Sequence, residues 1–185
     1  MNVVLCGMGG CGKTTIGQKI SEKFSVPFLD TDRLIENAYA NKGQKLTCRE
    51  IYIKEGAEKF RQFEKEQILN LESEGTWVLA TGGGTFDDPE NVAALKKYGT
   101  IVFLKCSLEV LWDRMQRTGM PAYLDKSDSY HAFMKLLLIR SHYYEKAANG
   151  IVNCHQLTPE EIVWEVMNLV PFLKSPLGAN LTGRP

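Results

Sequence analysis

The sequence predicts an α/β protein of three layers, in which a five-stranded parallel sheet is covered by helices on both faces. Two observations lead to this prediction. Short apolar runs, typical of buried strands, alternate along the 185 residues with longer segments whose apolar residues recur every three or four positions. Turn and cap residues separate these segments. In such a sheet ligands bind at the carboxyl ends of the strands, so we expect the functional residues at that edge.

Composition limits the function classes. Hydrophobic residues make up 44% of the chain and charged residues 24%, which is ordinary for a globular domain. The 22 basic and 22 acidic residues cancel, which argues against a nucleic-acid-binding surface. No apolar run approaches the length of a membrane span, so no membrane partner is expected. We expect one domain over residues 1–171 and a loosely ordered tail over 172–185, where proline and glycine recur.

The five cysteines are odd in number, scattered, and without metal-ligand spacing. We therefore expect reduced thiols and a cytoplasmic protein. The N-terminus enters a predicted strand at once, so no signal or transit peptide is expected.

The first strand, Val3–Leu5, leads into the segment Gly7–Thr15, which reads GMGGCGKTT. This fits the phosphate-binding P-loop, a glycine and four free positions before Gly-Lys-Ser/Thr. A helix is predicted from Lys13 to Phe24, with Ile16 and Ile20 on its apolar face. The loop then lies at a helix N-terminus, where N–H groups and the helix dipole attract anions. The sequence thus predicts a nucleotide site.

Residue types in the loop predict separate tasks. Lys13 neutralises charge on the β- and γ-phosphates, and the Thr14 hydroxyl ligates Mg²⁺. The Cys11 thiol has either a lowered pKa, as thiols in phosphate-binding turns can have, or only a space-filling role, which is the preferred interpretation. The predicted ATP-binding residues of the loop are Gly9, Gly10, Cys11, Gly12, Lys13, Thr14 and Thr15.

A second strand, Phe28–Leu29, ends in two carboxylates, Asp30 and Asp32. Phosphoryl transfer needs one group near the metal and one to orient the nucleophile, so one aspartate can hold Mg²⁺ through water while the other faces an acceptor hydroxyl. Alternatively, one of them only caps a helix. Thr31 is a further candidate cap for the helix that runs to about Tyr39.

Thr47 and Glu50 form a capping box that begins the next helix, which we expect to reach about Glu74 with a break at Gly56. Arg61 lies beside the apolar face of this helix. On the residues alone, a surface pair with Glu64 is its simplest interpretation.

The third strand, Trp77–Ala80, runs into Gly82–Gly84. Three glycines after a buried strand form either a flexible turn or a place where a ligand approaches the backbone closely, and the second is favoured. Pro89 is the first helical residue of the next helix. A fourth strand follows at Thr100–Lys105.

Ser107 caps a helix that ends near Arg117, and residues 118–121 break the pattern. A long helix is predicted over 130–148. It contains Arg140, for which a salt bridge or a helix-dipole contact is the simple explanation. A short fifth strand, Ile151–Val152, precedes a helix that a capping box at Thr158 begins and that ends near 170.

The order and spacing of these motifs resemble the shikimate kinase family over about residues 2–170. Beyond the P-loop, the matching segments are Asp30-Thr31-Asp32, Gly56 with Phe60-Arg61 and Glu64, Gly82–Gly84, Arg140 with Tyr144 and Ala148, and Leu157–Glu161.

The resemblance implies an ATP- and Mg²⁺-dependent kinase that phosphorylates the 3-hydroxyl of shikimate. Lys13 and Thr14 would hold the phosphates and metal, with Asp30 assisting through water. Asp32 would orient or deprotonate the attacking hydroxyl. Arg61 and Arg140 would grip the shikimate carboxylate, a task suited to the arginine fork. The backbone of Gly82, Gly83 and Gly84 would add donors, a helical part at about 31–74 would bind the acceptor, and a lid at about 117–129 would close.

The chain departs from this family in the lid, where the usual arginine corresponds to Met120. Arg117 is expected either to stack on the adenine or to replace the missing cation, and Arg114 and Lys126 are further candidates. Two other functions therefore stay open. One is a related kinase for a gluconate-like acid, and the other is a P-loop nucleotide-binding protein that has lost turnover. We expect a monomer.

Overall fold

The computed structural model describes residues 2–41, 43–71, 74–119, 121, 124 and 128–170. One or two helices follow each strand through this part of the chain, with a single 3₁₀ turn at Thr85–Asp87. The elements are β1 (Asn2–Cys6), α1 (Lys13–Phe24), β2 (Phe28–Asp30), α2 (Thr31–Ala40), α3 (Cys48–Leu69), β3 (Val78–Ala80), α4 (Pro89–Tyr98), β4 (Gly99–Lys105), α5 (Leu108–Thr118), α6 (Ser129–Ala147), β5 (Gly150–Asn153) and α7 (Pro159–Leu169).

The five strands form one parallel sheet in the order β2-β3-β1-β4-β5. Strand β1 lies at its centre, with Val4 beside Leu79 of β3 and Ile101 of β4, and all five of its residues are buried. The predicted fold class is confirmed. Because the strands are parallel, the loops that follow β1, β2 and β3 emerge at one edge and bring the predicted site residues together.

The apolar residues form two clusters. The larger one packs helices against the sheet. The smaller one lies between α2 and α3 and consists of Ile35, Tyr39, Ile51 and Phe60. The two helices that carry Asp32 and Arg61 are thus fixed to each other by their own apolar contacts.

The start of α2 differs from the prediction. Asp30, not Thr31, is the N-cap, and its Oδ1 accepts a hydrogen bond of 3.0 Å from the backbone N–H of Asp32. Thr31 is already helical and fully buried, and its Oγ1 accepts a 2.6 Å hydrogen bond from the N–H of Gly82. The Thr31 hydroxyl is thereby engaged by the neighbouring strand's loop and is not the cap of its own helix.

Helix α3 begins at the predicted capping box of Thr47 and Glu50 and is broken at Gly56, as expected. Gly56 has φ 82° and ψ 167°, a conformation that only glycine adopts readily. The helix ends at Leu69 and not near Glu74, because Asn70 leaves the helical conformation with φ −95° and ψ 9°.

Two predicted features lie outside the described residues. These are the tail over 172–185 and the part of the lid at residues 120, 122–123 and 125–127, which includes Met120 and Lys126. Among the described residues, no helix combines the length and the apolar character that crossing a membrane requires.

Candidate active site

The P-loop follows β1 and leads directly into α1, which begins at Lys13. Gly10 and Gly12 have φ of 84° and 100°, and Gly7 has φ of 141°. A Cβ on Gly7 would also lie 2.7 Å from the carbonyl oxygen of Leu104 in the neighbouring strand. Glycine is therefore required here both for backbone conformation and for space.

Lys13 is 8% exposed and lies within the curve of its own loop. Its Nζ donates hydrogen bonds of 2.8 Å to the carbonyl of Gly7 and 2.9 Å to that of Met8. These carbonyls hold the ammonium group at the wall of the cavity that the loop surrounds.

Asp30 joins the loop to the next strand. Its Oδ2 accepts a 2.9 Å hydrogen bond from the Thr14 hydroxyl, while its Oδ1 caps α2. The capping role and the proposed metal role, which the sequence left as alternatives, are thus compatible in one carboxylate. A hydroxyl beside a carboxylate supplies the oxygen ligands that Mg²⁺ prefers. No cluster of three or more His, Cys, Asp or Glu side chains suited to a metal occurs in the described part of the chain.

Two cavities open at this edge of the sheet. The first, of about 580 Å³, is lined by the P-loop, by Asp30 and Asp32, by Arg114 and Arg117, and by Leu157, Pro159 and Ile162 of the last loop and α7. The second, of about 230 Å³, is lined by Asp32, Tyr52, Phe60, Arg61, Glu64, Gly82–Gly84 and neighbouring residues.

Asp32 lines both cavities. Water reaches its side chain, but protein surrounds it on several sides within the cleft. The loss of bulk water, followed by the negative charges of Asp30 and Glu64, raises the pKa of Asp32 to about 6, against the opposing effect of Lys13. The carboxylate is therefore still ionised at neutral pH, with a greater proton affinity than an ordinary aspartate.

Arg61 reaches the second cavity and forms an ion pair with Glu64, and its guanidinium lies 5.4 Å from the centre of the Phe60 ring. Glu64 is only 1% exposed and also accepts a 2.7 Å hydrogen bond from the Thr85 hydroxyl. The pairing foreseen from sequence is therefore not a surface contact. It anchors the arginine in the cavity wall, and the anchoring role of Thr85 had no sequence signal.

The three glycines of this wall have no positive φ, so they are needed for space. A Cβ on Gly84 would collide with the Arg61 guanidinium, and one on Gly82 would lie 2.6 Å from Glu64 Oε1. A Cβ on Gly83 would lie 3.3 Å from the backbone nitrogen of Gly9 in the P-loop. The backbone here is packed closely against side chains and the P-loop, which favours the close-approach interpretation over a flexible turn.

Arg140 does not line either cavity in the described part of the chain. It is 5% exposed and lies behind Gly83. The carbonyl of Gly83 accepts a hydrogen bond from the hydroxyl of Tyr144. Its guanidinium is paired with Asp87, so the salt-bridge interpretation holds. The structure thus places one of the two predicted carboxylate-binding arginines in the wall of the second cavity and the other behind that wall.

The two arginines of α5 both line the first cavity but differ in their contacts. The Arg117 side chain is 76% exposed and pairs with Asp113 at 2.9 Å. Arg114 donates a 2.8 Å hydrogen bond from Nη1 to the carbonyl of Gly10 in the P-loop. Arg114 is therefore the arginine that is already held against the phosphate-binding loop.

Cys11 is 2% exposed, and burial raises the pKa of its thiol, so the lowered pKa considered for it is wrong and the space-filling role stands. The thiol with a lowered pKa is that of Cys106. A hydrogen bond with Cys154, and then the positive charges of Arg114 and Lys13, lower its pKa to about 7, although burial acts in the opposite direction. Both thiols follow neighbouring strands, β4 and β5, an adjacency that the sequence did not reveal.

A P-loop at the end of a central parallel strand, beside a carboxylate pair and a second small cavity, defines a P-loop phosphotransferase for a small acceptor. The family model described as "Shikimate kinase" matches residues 9–171. A shikimate kinase of Caldanaerobacter subterraneus subsp. tengcongensis is 34% identical over 94% of this chain and 98% of its own length. The chain belongs to the shikimate kinase family, and it is a kinase.

Solved structures give the same result. The shikimate kinase from Acinetobacter baumannii, in complex with shikimate, superposes with a TM-score of 0.83 at 30% identity and covers 91% of each chain. The shikimate kinase from Aquifex aeolicus has a TM-score of 0.73 at 29% identity and covers 91% of this chain and 94% of its own.

Proposed function

We propose that this protein transfers the γ-phosphoryl group of ATP to the 3-hydroxyl of shikimate, forming shikimate 3-phosphate. The single observation that carries the proposal is the position of Asp32 on the wall shared by the two cavities. A carboxylate at that place lies between a site sized for a nucleotide and a smaller site sized for a hydroxylated acid.

The nucleotide would occupy the first cavity, with its phosphates against the P-loop. Backbone N–H groups of Gly9–Thr15 and the N-terminus of α1 would bind phosphate oxygens. Lys13 would compensate the charge of the β- and γ-phosphates from its place inside the loop. Bound Mg²⁺ would neutralise charge on the phosphates, held by Thr14 directly and by Asp30 through water.

The acceptor would occupy the second cavity. Arg61 would bind its carboxylate, with backbone N–H groups of Gly82–Gly84 as further donors and Arg140 contributing past Gly83. The Tyr52 and Phe60 rings would pack against the carbon skeleton of the acid. Because Arg61 would fix the carboxylate and the two rings would fix the carbon skeleton, one hydroxyl of the acceptor would face Asp32.

Asp32 would accept the proton of the attacking hydroxyl. A raised pKa suits this task, because the carboxylate stays ionised at neutral pH and is more basic than a solvated one. In-line attack on the γ-phosphorus would then depend on positioning and charge neutralisation, with no covalent intermediate on the protein.

The cation that meets the transferred phosphate would come from α5. Among the described residues, the exposed Arg117 side chain pairs with Asp113 at the surface, and it would turn from there toward the nucleotide as the lid closes. It would stack on the adenine or act on the phosphate. Arg114 would keep the loop in shape through Gly10.

Two other functions are kept for specific reasons. A kinase for a gluconate-like acid would use the same arginine and carboxylate. A nucleotide-binding protein without turnover is favoured by Met120 alone, where the family has an arginine. We further propose a reducing cytoplasm, with which the five free cysteines agree. We also propose that the protein is a monomer.

The test is ADP release in the presence of MgATP with shikimate, with gluconate and with no acceptor. We expect turnover with shikimate alone. Turnover with gluconate and not with shikimate would establish the first alternative. Tight ATP binding without turnover on either acid would establish the second.

A further inference from the structure

Arg140 is a buried cation whose partner, Asp87, is not among the residues that line the second cavity. Its Nε lies 3.1 and 3.2 Å from the two oxygens of Asp87, and its Nη2 lies 2.7 Å from Oδ2. Nη1 lies on the other side, where a Cβ on Gly83 would be 3.8 Å from it. One edge of the guanidinium thus faces Asp87 while its Nη1 faces the glycine wall.

Asp87 belongs to the 3₁₀ turn Thr85–Asp87, which follows the glycines without a break. The N–H groups of Thr85 and Asp87 donate to the carbonyls of Gly82 and Gly84, at 3.2 and 3.0 Å. Thr85 at one end of this turn contacts Glu64, the partner of Arg61. A single turn therefore fixes the cavity wall and, through its two ends, both predicted carboxylate-binding arginines.

We propose that Asp87 is a positioning residue for acceptor binding: it keeps Arg140 buried behind Gly83 and turns its Nη1 edge toward the acceptor carboxylate. The proposal rests on the proposed function, because it requires an acid as the acceptor. It assigns the binding role of Arg140 to a pair of residues, in which the arginine faces the acceptor past Gly83 and Asp87 holds the arginine in place.

The physical reason is the fixed planar fork of the guanidinium. When two carboxylate oxygens accept hydrogen bonds from one edge of the guanidinium, they determine the orientation of the whole group. A single oxygen would leave the group able to rotate about that one hydrogen bond. An asparagine at position 87 has one carbonyl oxygen, and its NH₂ group would face the guanidinium donors. A buried arginine without its counter-charge also moves toward water, away from Gly83.

The experiment measures steady-state KM for shikimate and for ATP in the wild type and in Asp87→Asn, Asp87→Glu and Asp88→Asn. Asp88 is the matched control, since it carries the same charge one residue later but caps α4 and pairs with Lys65. We expect Asp87→Asn to raise the shikimate KM at least tenfold over Asp88→Asn, with the ATP KM changed less than twofold. Asp87→Glu, which restores the charge, is expected to recover part of the loss.

A double-variant cycle tests whether Asp87 acts through Arg140. In an Arg140→Met background, which keeps the apolar stem, Asp87→Asn should change the shikimate KM less than twofold. A full tenfold effect in that background would overturn the proposal.

Other outcomes are equally decisive. A shikimate KM in Asp87→Asn equal to that of Asp88→Asn, an equal rise for ATP, or tighter shikimate binding would each overturn it. If Asp87→Asn does not fold, Asp87→Glu carries the test, with a selective rise in the shikimate KM expected and an unchanged KM contradicting the proposal. Absence of turnover in the wild type would overturn the proposed function itself and this inference with it.

Discussion

The Thr14 hydroxyl donates a 2.9 Å hydrogen bond to Oδ2 of Asp30, and so connects the first turn of α1 to the end of β2. The two residues are 16 positions apart in the chain, one in a helix and the other in a strand, and both lie at the loop edge of the sheet. Since Asp30 also caps α2, one carboxylate ties the nucleotide loop to the helix that carries Asp32. The Thr14–Asp30 pair, which we propose as the Mg²⁺ site, and the carboxylate of Asp32 therefore keep a fixed separation.

This pair predicts how the enzyme depends on magnesium. Thr14→Val removes the hydroxyl, and we expect the Mg²⁺ concentration for half-maximal activity to rise at least tenfold at constant ATP. Thr14→Ser keeps the hydroxyl and should stay within about threefold of the wild type. A Mg²⁺ titration of ADP release measures both, and equal behaviour of the two variants would contradict the assignment of the hydroxyl.

Asp32→Asn should lose turnover by a factor of about 10² to 10⁴, the usual contribution of a positioned base. ATP binding should change less than twofold, because the amide has nearly the same shape and lies at the edge of the nucleotide cavity. Isothermal titration with ATP and the ADP-release assay separate the two effects. Turnover within threefold of the wild type would show that Asp32 is not at the reacting hydroxyl.

The raised pKa of Asp32 predicts a pH dependence. In the wild type, kcat/KM for the acceptor should fall as pH drops through about 6, because the carboxylate becomes protonated. The stability of the fold should depend on pH in the opposite direction from kcat/KM. The folded-state pKa lies above the usual value, so proton uptake stabilises the fold at low pH and this contribution is lost as pH rises through about 6.

Asp32→Asn provides the corresponding stability measurement. It should raise the Tm of the free protein at pH 8, where the wild type carries an ionised carboxylate next to Asp30 and Glu64, and have little effect at pH 4. A gain in Tm at pH 4 equal to that at pH 8 would show that the pKa is not raised.

Arg61→Ala should raise the acceptor KM at least tenfold and leave the ATP KM within twofold, because Arg61 lines only the smaller cavity. The protein should also lose stability, since Glu64 is buried and would keep no guanidinium beside it. Steady-state kinetics and thermal unfolding of the same preparation measure the two effects. Equal loss for acceptor and ATP would contradict the assignment.

Gly84→Ala tests the same arginine without removing it. The added methyl group would collide with the guanidinium of Arg61, which must then move away from the acceptor. We expect an increase in the acceptor KM comparable with that of Arg61→Ala. An acceptor KM within twofold of the wild type would show that the arginine binds equally well from another position.

Arg117→Ala and Arg114→Ala should differ in kind. The Arg117 pair with Asp113 is exposed and contributes little to stability, so the loss of Arg117 should leave the Tm unchanged while kcat falls at least tenfold. Arg114→Ala should mainly raise the ATP KM, because Gly10 loses a contact that shapes the loop. A fall in kcat for Arg114→Ala alone would transfer the phosphate-contacting role to Arg114.

Local patterns were sufficient for most of the fold. The P-loop, the capping boxes at Thr47 and Thr158, the break at Gly56 and the alternation of strands with helices were all predicted from neighbouring residues. These features depend on hydrogen bonds and backbone conformations within a few positions of the chain. Errors arose where a distant residue competed, as when Gly82 engaged the Thr31 hydroxyl and left Asp30 to cap α2.

The sequence by itself determined the parallel α/β architecture, the nucleotide loop and the set of charged residues near it, because periodicity, glycine positions and residue order encode these locally. Only the tertiary structure decided which of the two arginines lines the second cavity. The sequence alone did not distinguish Arg61 from Arg140. In the structure Glu64 holds Arg61 in the wall of the second cavity, and Asp87 holds Arg140 behind that wall. That difference comes from ion pairs across separate elements, which exist only after the sheet has brought those elements together.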